Sequence, residues 1–372
     1  MQKKSVSHLP GVSLACTEDA GKPTVAQPKV EDVVARPGFR FVSGAAAAVA
    51  LGVAGWLAPV VFDRDARHRL LGRDDAGLGP QVPTADRLAA ATKVFNADPR
   101  VRRAPVNGTE LPYREAGQGP PVLLMHGGGG GWWVWDDVVD ELATDHRVIS
   151  YSRRGYFGTG ELATAWEQHP MDAAALLEHL DARGAVVVAW SDGGSVGLAL
   201  AAARPDLVAG VVLLEPFIYP RRNLTPELIR VLLAMLVRRA LLPAEQAIDP
   251  LYRRIALVRD DGTSTWDRPE LPAARRFGTL SAAGAVYNDA QLVGPHEPFP
   301  PDKLAELVCP ITLLTGERTG PYLLQMADTL EAIIPGVRRT EVPNADHDMP
   351  YDNPAGTAEA IRHAAKEMIN AP

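Results

Sequence analysis

Residues 186–194 read Val-Val-Val-Ala-Trp-Ser-Asp-Gly-Gly. A near-continuous apolar run bounded by turn residues is the mark of a strand covered on both faces. A helical stretch, 193–204, begins at once. A serine on so tight a strand-to-helix turn keeps its hydroxyl exposed and its backbone strained. The turn brings backbone segments together, so small residues are needed two before and two after the serine. Ala189 and Gly193 meet that need around Ser191, although glycine is more usual at the first position. The helix that follows turns its free N–H groups and positive end toward the serine, which favours developing negative charge. An ordinary strand–turn–helix joint could hold a serine by chance, so the rest of the chain has to decide.

Working outward, the same alternation recurs. Strand-like runs lie at 122–125 (VLLM), 147–151 (RVISY), 210–215 (GVVLLE), 311–315 (ITLLT) and 339–343 (RTEVP). Helical stretches fall at 133–143, 171–183, 225–241, 322–333 and 354–368, the third opening on Thr225-Pro226, an N-cap and a proline suited to the first turn. Such alternation implies an α/β fold, a mostly parallel central sheet with helices on both faces. Val106-Asn107-Gly108 suggests a leading hairpin. Between 215 and 311 the alternation lapses over a stretch too long for a loop. It reads as a helical insertion, 218–305, over one end of a core made of 101–217 and 306–372.

Two further motifs fall on matching elements. His126-Gly127-Gly128 follows the strand at 122–125. Glycines there let backbone N–H groups approach a reacting carbonyl, so the N–H groups of Gly128 and Asp192 form a candidate oxyanion hole. A phosphate loop is the rival reading, but Trp132-Trp133 follows the glycines where a Lys-Ser/Thr pair would be needed. His126 itself reads as structural. The second motif is the polar loop Asn344–Pro350, after the last strand and before the terminal helix, which contains His347. Serine is a weak nucleophile that needs a base within reach. A histidine late in the chain suits the order Ser…acid…His.

Taken together, VLLMHGGGGG, RVISYSRRGYFGTG, AWSDGG and NADHDMPYDNP resemble the α/β-hydrolase family across about 103–370. The resemblance implies that the helical insertion is a cap lining the substrate pocket. Ser152 departs from it, since an aspartate often precedes the Arg-Arg-Gly turn. The resemblance also implies an acid after the penultimate strand, in a Gly-x-x-Asp turn. Here that turn is Gly316-Glu317-Arg318-Thr319, so a threonine stands in the acid's place. Two carboxylates are available instead. Glu317 is on the same turn. Glu215 ends the apolar strand after the elbow helix, where haloalkane dehalogenases carry the acid. Glu215 is preferred, because an ionisable group closing an apolar run needs something to pair with it.

The expected activity is hydrolysis of a small-molecule carboxylic ester. Ser191 attacks, His347 carries the proton, Glu215 (alternatively Glu317) orients it, and no cofactor takes part. Serine at 191 argues against epoxide hydrolysis and dehalogenation, which use a carboxylate nucleophile. C–C, amide and lactone hydrolysis and perhydrolysis stay open, as does a binding protein that has lost catalysis.

Composition sets the outer bounds. The 372 residues are 46% hydrophobic and 22% charged, ordinary for a globular protein. A net charge of −7 argues against a nucleic-acid partner. Cys16 and Cys309 are too far apart in the chain to suggest a disulfide framework, and the histidines show no metal-ligand spacing. Residues 1–40 read as a flexible tail and 63–100 as a connecting segment. Between them, 41–62 carry no charge and have the length of one membrane span, although they are mostly Ala and Gly. The expectation is membrane attachment or export through 41–62. The alternative is a buried Ala-rich helix in a cytoplasmic protein.

Overall fold

The computed structural model describes residues 83–252, 272–293, 297 and 299–369. One sheet is built from β1 (Val101–Val106), β2 (Thr109–Ala116), β3 (Pro121–Met125), β4 (Arg147–Tyr151), β5 (Ala185–Trp190), β6 (Val208–Leu214), β7 (Ile311–Gly316) and β8 (Arg338–Val342). Their spatial order is β1-β2-β4-β3-β5-β6-β7-β8. The β1/β2 and β2/β4 pairs are antiparallel and all the others parallel. The leading hairpin turns on Asn107 and Gly108, both at positive φ (41° and 77°), as a tight two-residue hairpin requires.

The central strands are apolar throughout because each feeds two cores. Leu123 and Met125, Val187 and Ala189, and Val211 and Leu213 point to one layer. Val122 and Leu124, Val186 and Val188, and Val212 and Leu214 point to the other. The first layer is closed by α3 (Gln168–His179), α4 (Gly193–Ala203) and α10 (Pro321–Ile333). The second is closed by α2 (Asp136–Leu142) and α11 (Pro354–Ile369), together with the tryptophans of the 3-10 turn Trp132–Trp135. Each large side chain buried here stabilises the fold by roughly 1.5–3 kcal/mol before entropy is charged against it.

Between β6 and β7 lie α5 (Pro226–Leu241), α6 (Ala244–Leu251), α7 (Ala273–Ser281), α8 (Ala283–Val293) and the short α9 (Pro301–Ala305). Thr225 caps α5, its side chain accepting from the N–H of Leu228 at 3.1 Å. One N-terminal expectation is refined and another corrected. The described part of the segment 63–100 contains α1 (Ala85–Asn96), whose Phe95 stacks on Trp133 with ring centroids 4.6 Å apart. Placement at a membrane is also withdrawn. Among the described residues no helix is long and apolar enough to cross one, and 1–40 and 41–62 lie outside the described residues. A run of Ala and Gly is a weak basis for insertion in any case.

Candidate active site

Ser191 occupies the sharp turn from β5 into α4 at φ 56°, a left-handed conformation that strains any residue with a side chain. The turn is pinned on several sides. The Ser191 N–H donates to Leu214 O at 2.9 Å, and its carbonyl accepts from the N–H groups of Gly194 and Phe217, each at 3.1 Å. Close approach explains the glycines. A Cβ at Gly193 would lie 2.6 Å from His126 O, and one at Gly127 only 2.8 Å from Ser191 Cβ. Ala189, where glycine is more usual, fits because Gly197 faces it: a Cβ there would meet Ala189 Cβ at 2.9 Å.

Glu215 directly follows β6, and its side chain is fully buried. One carboxylate oxygen, Oε1, accepts from Gly316 N at 2.7 Å and from the Thr319 hydroxyl. The other, Oε2, lies 3.9 Å from His347 Nδ1, too far for a hydrogen bond, and both atoms are buried without a hydrogen-bond partner. Glu317 is exposed and accepts from Asn344 N at 2.7 Å, bracing the start of the histidine loop. Trp190, the residue before Ser191, donates its indole N–H to His347 O at 2.8 Å.

The glycine loop is braced from behind. His126 is fully buried, and its Nε2 accepts from Arg153 N at 2.9 Å, so the proton sits on Nδ1, which donates to Gly127 O at 2.7 Å. Burial, reinforced by the Arg153 charge, holds its pKa well below the ordinary histidine value, so the ring is neutral. Tyr252, just past α6, donates its hydroxyl to Gly128 O at 3.1 Å. Gly129, at φ 79°, leaves room for that hydroxyl, which a Cβ there would strike.

Ser191 and His347 open into a cavity of about 420 Å³. Its walls are largely apolar, with Leu228, Leu232, Met235, Val286 and Val293 contributed by α5 and α8. Asp192 and Asp289 add polar groups. Asp289 of α8 ties the inserted helices to the core, accepting from Tyr156 OH at 2.7 Å and lying 3.0 Å from His169 Nε2. Among the described residues no cluster of three His, Cys, Asp or Glu side chains is placed to hold a metal ion.

The sequence profile of the alpha/beta hydrolase family matches residues 122–360, well over half of the chain. The chain belongs to the alpha/beta hydrolase family. Within the family, it is 36% identical over 115 residues to the non-heme chloroperoxidase of Streptomyces lividans, covering 29% of this chain and 42% of that protein. It is 32% identical over 124 residues to a haloalkane dehalogenase of Bradyrhizobium diazoefficiens, covering 32% and 40%. These matches span about two fifths of each relative's length. A thermophilic esterase from Thermogutta terrifontis superposes with a TM-score of 0.57 at 24% identity, over 72% of this chain and 99% of that one, a likeness of fold.

Of the residues expected from sequence, Ser191, Asp192, Gly128 and His347 line one cavity, and Glu215 stands behind His347. Glu317 is bound to the backbone of Asn344 instead. Sequence reasoning missed Trp190, Arg153 and Tyr252 as supporting groups. A tryptophan in the elbow and paired arginines before a glycine were the available signals for the first two. Tyr252 gave none.

Proposed function

We propose that the protein is a serine hydrolase acting on small carboxylic esters through an acyl-enzyme on Ser191. The observation that carries this reading is the buried Glu215 carboxylate directed at His347, which shares a cavity with the strained Ser191. Glu215 fixes the His347 tautomer, with the proton on Nδ1, and stabilises the imidazolium that forms. His347 then takes the Ser191 proton through Nε2 as the oxygen bonds to the ester carbon. The carbonyl electron pair moves onto oxygen, where the N–H groups of Gly128 and Asp192 receive it. Collapse expels the alcohol, protonated by His347. Water, deprotonated by His347, releases the acid and restores Ser191. None of these steps calls on a cofactor.

In this reading the chain divides into a core of 101–217 and 306–372 and a cap, 218–305, whose helices supply much of the apolar wall. A cavity of about 420 Å³ with such walls suits acyl and alcohol groups of modest size. The test is labelling by a fluorophosphonate, followed by turnover of p-nitrophenyl esters of graded chain length. Labelling that Ser191→Ala abolishes, with turnover peaking at short or medium chains, is the expected result. A folded protein that neither labels nor turns over any ester is not a serine hydrolase.

A further inference from the structure

Arg153 has no part in the reaction as drawn, yet its side chain is only 2% exposed. A buried cation is expensive unless its partners matter. Arg153 bears on both sides of the proposed oxyanion hole, directly on Asp192 and only through His126 on the glycine loop. On one side its main-chain N–H holds His126 Nε2 at 2.9 Å, and His126 in turn holds Gly127 O. On the other, one guanidinium nitrogen donates to both carboxylate oxygens of Asp192, at 3.0 and 3.2 Å. The guanidinium also lies 4.4 Å over the Tyr156 ring and 3.8 Å from the Asp289 carboxylate.

The Asp192 carboxylate is in a sensitive place. A Cβ built on Gly127 would come within 3.5 Å of one of its oxygens, and one on Gly128 within 3.7 Å of the other. The carboxylate thus runs alongside the loop whose Gly128 N–H receives the substrate oxygen. An unneutralised anion there opposes the negative charge that the hole exists to stabilise.

We propose that Arg153 is a positioning residue for the oxyanion hole, holding the Gly127–Gly128 loop and the Ser191–Asp192 turn in register and neutralising the Asp192 carboxylate beside the developing oxyanion. The inference rests on the reading of Ser191 as the acylated nucleophile. It does not place Arg153 in contact with substrate.

Kinetics of Arg153→Met and of Arg153→Met/Asp192→Asn on a p-nitrophenyl ester test it. Arg153→Met is expected to lower kcat ~10²-fold with KM within a few-fold of wild type. Adding Asp192→Asn, which removes the uncovered charge, is expected to recover kcat ~10-fold, a non-additive pair. A structural prop alone would not produce that recovery. If Arg153→Met does not fold, Arg153→Lys keeps the charge but loses the flat group that lies over Tyr156 and reaches Asp289, and an intermediate loss of kcat is expected. Wild-type kcat in Arg153→Met or Arg153→Lys, or additive losses in the double variant, overturns the proposal. A crystal structure of the folded variant reads the clamp without any turnover. Displacement of Gly127–Gly128 relative to Asp192 supports it, and wild-type placement of both overturns it. A wild-type protein inactive on every ester sinks the hydrolase reading instead, and the variant structure still decides the clamp.

Discussion

Thr319 donates its hydroxyl hydrogen to Glu215. The residue standing where the family resemblance places the acid therefore holds the carboxylate that we propose as the acid, which follows a different strand. With Gly316 N it occupies Oε1 and leaves Oε2 for His347. Glu215→Gln is expected to lower kcat by ~10²–10⁴-fold with little change in KM. Thr319→Val, which removes one donor to a buried carboxylate, should lower stability by about 1–2 kcal/mol and kcat several-fold. Glu317→Gln should leave kcat within a few-fold of wild type. Steady-state kinetics on one ester separates the three, and a larger kcat loss in Glu317→Gln than in Glu215→Gln would reverse the assignment.

The strain at Ser191 predicts that activity and stability move in opposite directions at this position. Glycine adopts φ 56° freely, whereas serine is held there against its preference. Ser191→Gly should abolish turnover, a loss of ~10⁴-fold or more, while raising stability by about 0.5–1 kcal/mol. Thermal unfolding beside a rate assay measures both. A lower Tm in Ser191→Gly would show that the hydroxyl contributes more than the strain removes.

Trp190→Phe keeps an aromatic ring but deletes the indole N–H that holds His347 O at 2.8 Å. The expected result is a loss of about 1 kcal/mol of stability and a several-fold fall in kcat. Unchanged kcat would mean that the histidine loop is held adequately by its other contacts.

Asp346, beside His347, is 3% exposed and faces a second carboxylate. Burial, then the hydrogen bond and charge of Asp352, push its pKa up to about 7. In the unfolded chain it titrates near the ordinary value of about 3.9. From about pH 4 to 7 the folded state therefore binds more protons than the unfolded state. This contribution to stability is fully present below about pH 4 and is lost as pH rises to about 7. Asp346→Asn should remove it, flattening the fall in Tm between pH 5 and pH 8 by the equivalent of ~2–3 kcal/mol. An identical fall in wild type and variant would place the titrating group elsewhere.

The sheet was legible because its strands are buried on both faces, which makes each a short apolar run. β4 starts and ends where RVISY does, and β5 differs from VVVAW by one residue. α1 was not legible. Only Ala91 and Phe95 of its 12 residues are buried, too sparse a stripe to stand out. At the site, Ser191 and His347 are marked by their local motifs, and Glu215 by an acid closing an apolar strand. Thr319 looked like a missing acid because its partner is 104 residues away. Arg153 and Asp192 are 39 residues apart and Tyr252 and Gly128 are 124 apart. No local pattern encodes such pairs.

Among the described residues β8 is the last strand of the sheet, paired with β7 alone, and three of its five residues are exposed. The loop carrying His347 hangs from it. Edge elements with few buried contacts open at lower free energy than the centre of a sheet. Ser191 and Glu215 are rooted in the centre. On warming, the β8 end is therefore expected to release His347 from Ser191 and Glu215 before the centre of the sheet opens, once the Trp190 bond to His347 O gives way. The expected outcome is that activity fails below the melting temperature of the whole molecule, which a rate assay run beside thermal unfolding measures.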